Sequence, residues 1–227
     1  MERFFDEELK QLHKKLKNMA QLVEESILRS IDSLKNRDKK LADKVIDEDR
    51  IIDELEIDID ESCLELIALR QPVAYDLRFI ATVMKITVDL ERIADLAVDI
   101  AQRVLELVDK PLLKPLIDIP KLSQLAQDMV KSAIDSFIDQ DTELAKKVCL
   151  SDQEADRLRD LVQDELINDY MSKDPQTVSR AIPLLLIARH LERICDHATN
   201  IAEDVIYMVK AKVVKHHLEK LKENNEK

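Results

Sequence analysis

The chain has 227 residues, 45% apolar, 3% aromatic and 36% charged, with a formal net charge of −12 and no glycine. Without glycine it can hold neither a phosphate-cradling loop nor a dinucleotide fingerprint, both of which need close backbone approach, and tight hairpins lose their best turn residue. The acidic balance sets direct nucleic-acid binding aside and suits cations or basic partner surfaces.

These proportions read as an almost wholly helical protein with a core of Leu, Ile, Val, Ala and Met. The three cysteines, Cys63, Cys149 and Cys195, form no C-x-x-C pair, and an odd count argues for reduced packing residues. The start, MERFFDEELKQL, lacks the basic region and apolar run of a signal peptide. The longest apolar run, 181–188, is too short to span a bilayer. The expectation is a cytoplasmic protein, at most peripheral to a membrane.

In chain order, Leu9, Leu12, Leu16, Met19, Val23, Ile27 and Ile31 give a helical stripe, predicting a first helix over 2–35. Asn36-Arg37-Asp38 breaks it, with Asp38 as N-cap. A second helix runs to about Leu69 on a seam of Leu41, Val45, Ile52, Leu55, Ile59 and Leu66, and Pro72 ends it. The third, about 74–108, turns Ile80, Val83, Leu90, Ala94, Ala97 and Ala101 inward. Residues 109–120 hold Pro111, Pro115 and Pro120 and read as a linker, apolar enough to pack down. The remaining helices are expected at about 121–139, 141–172 and 175–215, with Pro183 kinking the sixth or shortening its start, and a frayed charged tail at 216–227.

The second half repeats the first. Ile134-Asp135-Ser136-Phe137 matches Ile31-Asp32-Ser33-Leu34 at a shift of 103, Pro175 matches Pro72 at the same shift, and HLERICDHATNIA from His190 matches DLERIADLAVDIA from Asp89 at 101. The fold class is therefore all-α: two tandem three-helix bundles, 1–108 and 121–215, end to end or side by side. Helices of about 30 residues are about 45 Å long, so the molecule is expected to be elongated.

The repeat also duplicates acids. Glu91 and Asp95 return as Glu192 and Asp196, and Asp49 and Asp53 return as Asp152 and Asp156. Acids four apart share a helix face and repel. In so acidic a chain the spacing alone says little; its recurrence at matched places says more. Counted from the shared turn near Pro72, the two pairs of each half lie at similar heights on adjacent antiparallel helices, one position off the apolar seam. Four carboxylates per half are expected to converge on a rim groove, with Asp99 and Asn200 one turn further on. Oxygen donors favour magnesium, calcium, manganese or iron over zinc. The competing reading is that Arg92 and Arg193 consume the acids in ion pairs. His190 and His197 flank the second site. No Glu-x-x-His is present, as a di-iron bundle enzyme needs.

LRQPVAYDLRFIATVMKITVDLERIADLAVDIA (69–101) and ARHLERICDHATNIAEDVIYM (188–208) resemble the two signatures of the PhoU family, bacterial accessory proteins of high-affinity phosphate transport. The resemblance covers nearly the whole chain. It implies two repeated three-helix bundles, often as a homodimer, and a negative regulator of the phosphate-starvation response. Such proteins bridge the phosphate ABC transporter, through its ATPase subunit, and a sensor histidine kinase. Some members bind metal clusters through E(D)-x-x-x-D motifs, which fall here on Asp49/Asp53, Glu91/Asp95, Asp152/Asp156 and Glu192/Asp196. The candidate cofactors are iron, manganese, magnesium or zinc ions held by carboxylates, with no nucleotide. Ala94 and Cys195 stand where the family usually has Gly, and Asp99 where Asn is common. The alternatives are a metal-free helical scaffold or co-chaperone-like module, and a carboxylate-bridged metalloenzyme.

Overall fold

A computed structural model describes residues 2–213, with side chains from Phe5 onward. The described residues form α1 (Glu2–Asn36), α2 (Lys39–Arg70), α3 (Ala74–Leu107), α4 (Asp118–Asp139), α5 (Thr142–Glu165) and α6 (Val178–Lys210), with no strand among them. The fourth helix starts earlier than expected. Pro120 sits within the first turn of α4, where its missing N–H has no helical partner to lose. The fifth does not continue as α-helix to 172: a π-helical turn, Leu166–Met171, finishes it, and a 3₁₀ turn, Pro175–Thr177, precedes α6. The sixth ends at Lys210 rather than 215. The charged tail, 216–227, lies outside the described residues.

The duplication is visible in the turn chemistry. At the end of α1, Arg37 adopts a left-handed φ of 55°, its N–H bonds Leu34 O, and Asp38 N–H bonds Ser33 O at 2.9 Å. At the end of α4, Gln140 has the same φ, its N–H bonds Phe137 O, and Asp141 N–H bonds Ser136 O at 2.9 Å. Both are helix-terminating Schellman turns, built without glycine. The next residue in each then caps the following helix, Asp38 accepting from Leu41 N–H and Asp141 from Glu143 and Leu144 N–H.

Each set of three helices packs as a bundle, and the bundles lie side by side: α3 packs along α6, and α1 touches α4. The contacts run antiparallel. Arg78 Nε donates to Met208 O at 3.2 Å, Lys85 pairs with Asp204 at 3.0 Å, and His190 faces Asp99 at 3.8 Å. An internal two-fold axis therefore passes between Ala94 and Cys195, both buried, which stand at equivalent places in the repeat. Small residues there let the two backbones approach. Phe137 of α4 stacks with Phe79 of α3 at 5.5 Å and meets His13 of α1 at 5.1 Å, so three of the helices share one aromatic junction across the bundles. All three cysteines are buried and free, and burial pushes the Cys63 and Cys149 thiols up to about 12. They are packing groups.

The linker packs down. Leu113 and Leu116 lie against the core, while Arg37 donates to the carbonyls of Val108 and Lys110. Lys114, 4% exposed at its side chain, is ion-paired with Glu165. Pro183 lies inside α6, which continues through it. Proline has no N–H for the carbonyl four residues back. That carbonyl, Ser179 O, instead accepts from Lys110 Nζ of the linker at 3.0 Å.

Candidate metal-binding rims

Helices α2 and α3 are antiparallel neighbours, with α1 filling the groove on their inner side. Acids one step off the α2 and α3 seams therefore stand on the outer rim. Asp49 on α2 is pushed up to about 6, first by burial, then by Asp53 of its own helix and by Asp95 across the groove. Glu91 on α3 is pushed up to about 7 by burial and by Asp95, with Arg92 pulling the other way and Glu56 and Asp53 of α2 adding to the rise. The four expected acids of the first half thus feel one another across the two helices. Asp49 Oδ1 is buried and has no hydrogen-bond partner.

The second rim repeats the arrangement between α5 and α6. Asp152 is raised by burial and then by Asp196 and Asp156, and Glu192 by burial and then by Asp196, against the pull of Arg159. Asp196 is raised by burial and by Asp156, with His197 and Arg159 opposing. The rims are not equivalent. Arg159 donates to Glu192 Oε1 at 2.9 Å and to Asp156 Oδ1 at 3.1 Å, clamping the groove shut with a guanidinium. Its counterpart in the first half, at the shift of 103, is Glu56, so one rim gains a fifth carboxylate where the other gains a cation.

Arg92 does consume acids, pairing with Asp95 at 3.1 Å and Glu91 at 3.4 Å. On the second rim the clamp is Arg159 rather than the expected Arg193. Among the described residues, no three His, Cys, Asp or Glu side chains stand as a ready-made metal cage. Asp99 and Asn200 turn to the seam between the bundles instead. Asp99 lies toward His190, and Asn200 Nδ2 donates to Asp89 Oδ1 at 3.4 Å, beside the contact of His197 Nδ1 with the same oxygen at 2.7 Å. Glu56, Arg159 and Asp89 were not singled out by sequence reasoning. Glu56 is three residues from Asp53, and Arg159 three from Asp156, so a helical-face count around the acids would have found both.

An all-helical, internally doubled chain with matched acid rims and no strand among its described residues defines a class of tandem three-helix-bundle proteins. The chain belongs to the PhoU family: the PhoU domain model matches residues 16–104 and again 119–205. It is 42% identical to a "Phosphate-specific transport system accessory protein PhoU homolog" of Aquifex aeolicus, over 92% of this chain and 94% of that one. It is 36% identical to a second homolog so named in Thermotoga maritima, over 95% and 91%. Among solved structures it is similar to PhoU from Pseudomonas aeruginosa, with a TM-score of 0.88 and 37% identity over 92% of this chain and 100% of that one. It is also similar to the phosphate transport system regulatory protein PhoU from Streptococcus pneumoniae, with a TM-score of 0.86 and 28% identity over 93% and 99%. No described helix is long and apolar enough to cross a membrane.

Proposed function

We propose that this chain is a regulatory adaptor of high-affinity phosphate uptake and not an enzyme. It acts in the cytoplasm as a homodimer, links the ATPase subunit of the phosphate ABC transporter to a sensor histidine kinase, and restrains the phosphate-starvation response. The observation that carries the reading is the match of both halves, over nearly full length, to relatives named as phosphate-transport accessory proteins. Deleting the gene is expected to leave starvation genes expressed in rich phosphate, read by a reporter fusion. Normal repression there would remove the regulatory assignment.

The rims are proposed to take iron, manganese, magnesium or zinc. Carboxylates raised by burial and mutual repulsion are those a cation stabilises most. The first rim is the stronger candidate, because its fifth carboxylate, Glu56, stands where the second rim has Arg159. Asp49, whose Oδ1 lacks a partner, would hold a cation there together with Asp53, Glu91, Asp95 and Glu56, and Arg92 would have to leave Glu91 and Asp95. Protein purified without chelator is expected to retain metal by elemental analysis, and Glu56→Arg to lower the content of the first rim. Metal-free protein from both preparations would favour a bare scaffold. The metalloenzyme alternative has little support: the acids lie on a rim rather than in a bundle core, and Glu-x-x-His is absent. Phosphatase and oxidase assays on metal-loaded protein test it.

A further inference from the structure

The outer groove between α2 and α3 is acidic toward one end and apolar toward the other. On α3 the face that carries Asp95 and Glu91 runs back through Val88, Met84, Ala81 and Leu77, at steps of three and four. Asp60 of α2 lines a common groove with Met84 and Val88, which sets the register of the two helices. Leu64, one turn closer to the shared turn than Asp60, therefore borders the same apolar row. Leu64, Leu77 and Val88 are exposed, as is Val73 where the turn enters α3. Apolar residues exposed singly are ordinary, but a row along one groove marks a surface that another segment covers.

The groove also lacks a donor. Asp60 Oδ1 is buried and has no hydrogen-bond partner among the described residues. Lys85, which lines the groove with it, is held by Asp204 at 3.0 Å. Glu61, next to Asp60, is exposed. A segment that fits here brings cations as well as apolar side chains.

The chain has such a segment, and it leaves the fold close by. The end of α6 lies beside the start of α3, where Arg78 Nε donates to Met208 O at 3.2 Å. Ala211 turns the chain there with a φ of 53°. Residues 211–213 reach about 10 Å at most, about the spacing of two packed helices. Beyond them Val214, Leu218 and Leu221 recur at steps of four and three, the spacing of one helix face. Over 212–222 the charged residues are Lys212, Lys215, Lys220 and Lys222 against Glu219 alone, in a chain of net charge −12.

We infer that residues 214–222 lie along the α2–α3 groove of their own chain, with Val214, Leu218 and Leu221 on the row Leu77, Ala81, Met84 and the lysines toward Asp60 and Glu61. At helical rise, Val214 to Leu221 covers about 10 Å, and Leu77 to Val88 about 16 Å, so the row is long enough to hold the segment. The contact masks the groove in cis, and a second molecule that uses it must displace the segment. The inference does not rest on the adaptor reading, since only this chain takes part.

The test is cross-linking of dilute full-length Leu77→Cys/Leu218→Cys with a short thiol–thiol reagent. The three native cysteines are buried and do not compete. A link within one chain is expected, seen as a shift in gel mobility without a dimer band and placed by peptide mass. It should be lost in Leu28→Cys/Leu218→Cys, whose first position is exposed on α1. Leu218→Asp/Leu221→Asp in the otherwise native chain should raise the fluorescence of a hydrophobic dye, and adding Leu64→Asp/Leu77→Asp should reverse the rise. Absence of the link, equal linking from Leu28, or unchanged dye fluorescence would each overturn the proposal. So would a link formed only between two molecules, which would assign the groove to a second copy.

Discussion

Pro183 leaves Ser179 O without a helical donor, and Lys110, more than sixty residues earlier in the chain, supplies one. A charged donor on a carbonyl near the surface contributes about 1 kcal/mol net. Lys110→Met keeps the stem and removes the donor, so it is expected to lower stability by about that much in urea denaturation. An unchanged midpoint would mean that water replaces the lysine without cost. The same scale explains how a chain without glycine ends its helices. Arg37, Gln71, Gln140 and Ala211 adopt left-handed φ values of 50–55° at helix ends. Each tolerates a conformation that costs a side-chain-bearing residue about 1 kcal/mol, because the terminal carbonyls gain a donor in return.

At the scale of the element, the α2–α3 pair is a place where folding works against electrostatics. Asp49 and Glu91 hold their protons up to about 6 and about 7 in the folded protein, against about 4 in an unfolded chain. Between those values the folded state binds more protons, so stability falls as pH rises. The destabilisation is absent below the unfolded values, grows through the folded ones and is complete above them. Chelated protein is therefore expected to melt higher at about pH 5.5 than at about pH 8. Asp49→Asn/Glu91→Gln should flatten that difference, as should metal at the higher pH. A melting temperature that rises with pH over this window would show that the rim is not the destabilising element. Scanning calorimetry reads all three.

For the whole molecule, the junction of His13, Phe79 and Phe137 joins the bundles along with the α3–α6 seam. Phe137 is 1% exposed and packs against both halves. Phe137→Ala is expected to cost about 3–5 kcal/mol and to unfold the chain in one transition by circular dichroism in urea. Loss of half the helical signal in an earlier phase would show two independent bundles.

Much of this was legible in the residues themselves. Period and punctuation placed six helices, because a buried stripe must recur every three or four residues and Pro, Asp and Asn mark the breaks. The shift of about a hundred residues announced the duplication, and the same arithmetic set both pairs of acids at matching heights. What a linear pattern does not carry is the contact between repeats. Whether the bundles lie end to end or side by side, that Asp99 and Asn200 serve the seam and not the rims, and that Arg159 clamps one acid groove while Glu56 enlarges the other all follow from which helix faces which. That choice is made by the burial of faces and the close approach of small residues over long range. These are energies that neighbours in sequence do not share, and only the assembled fold decides them.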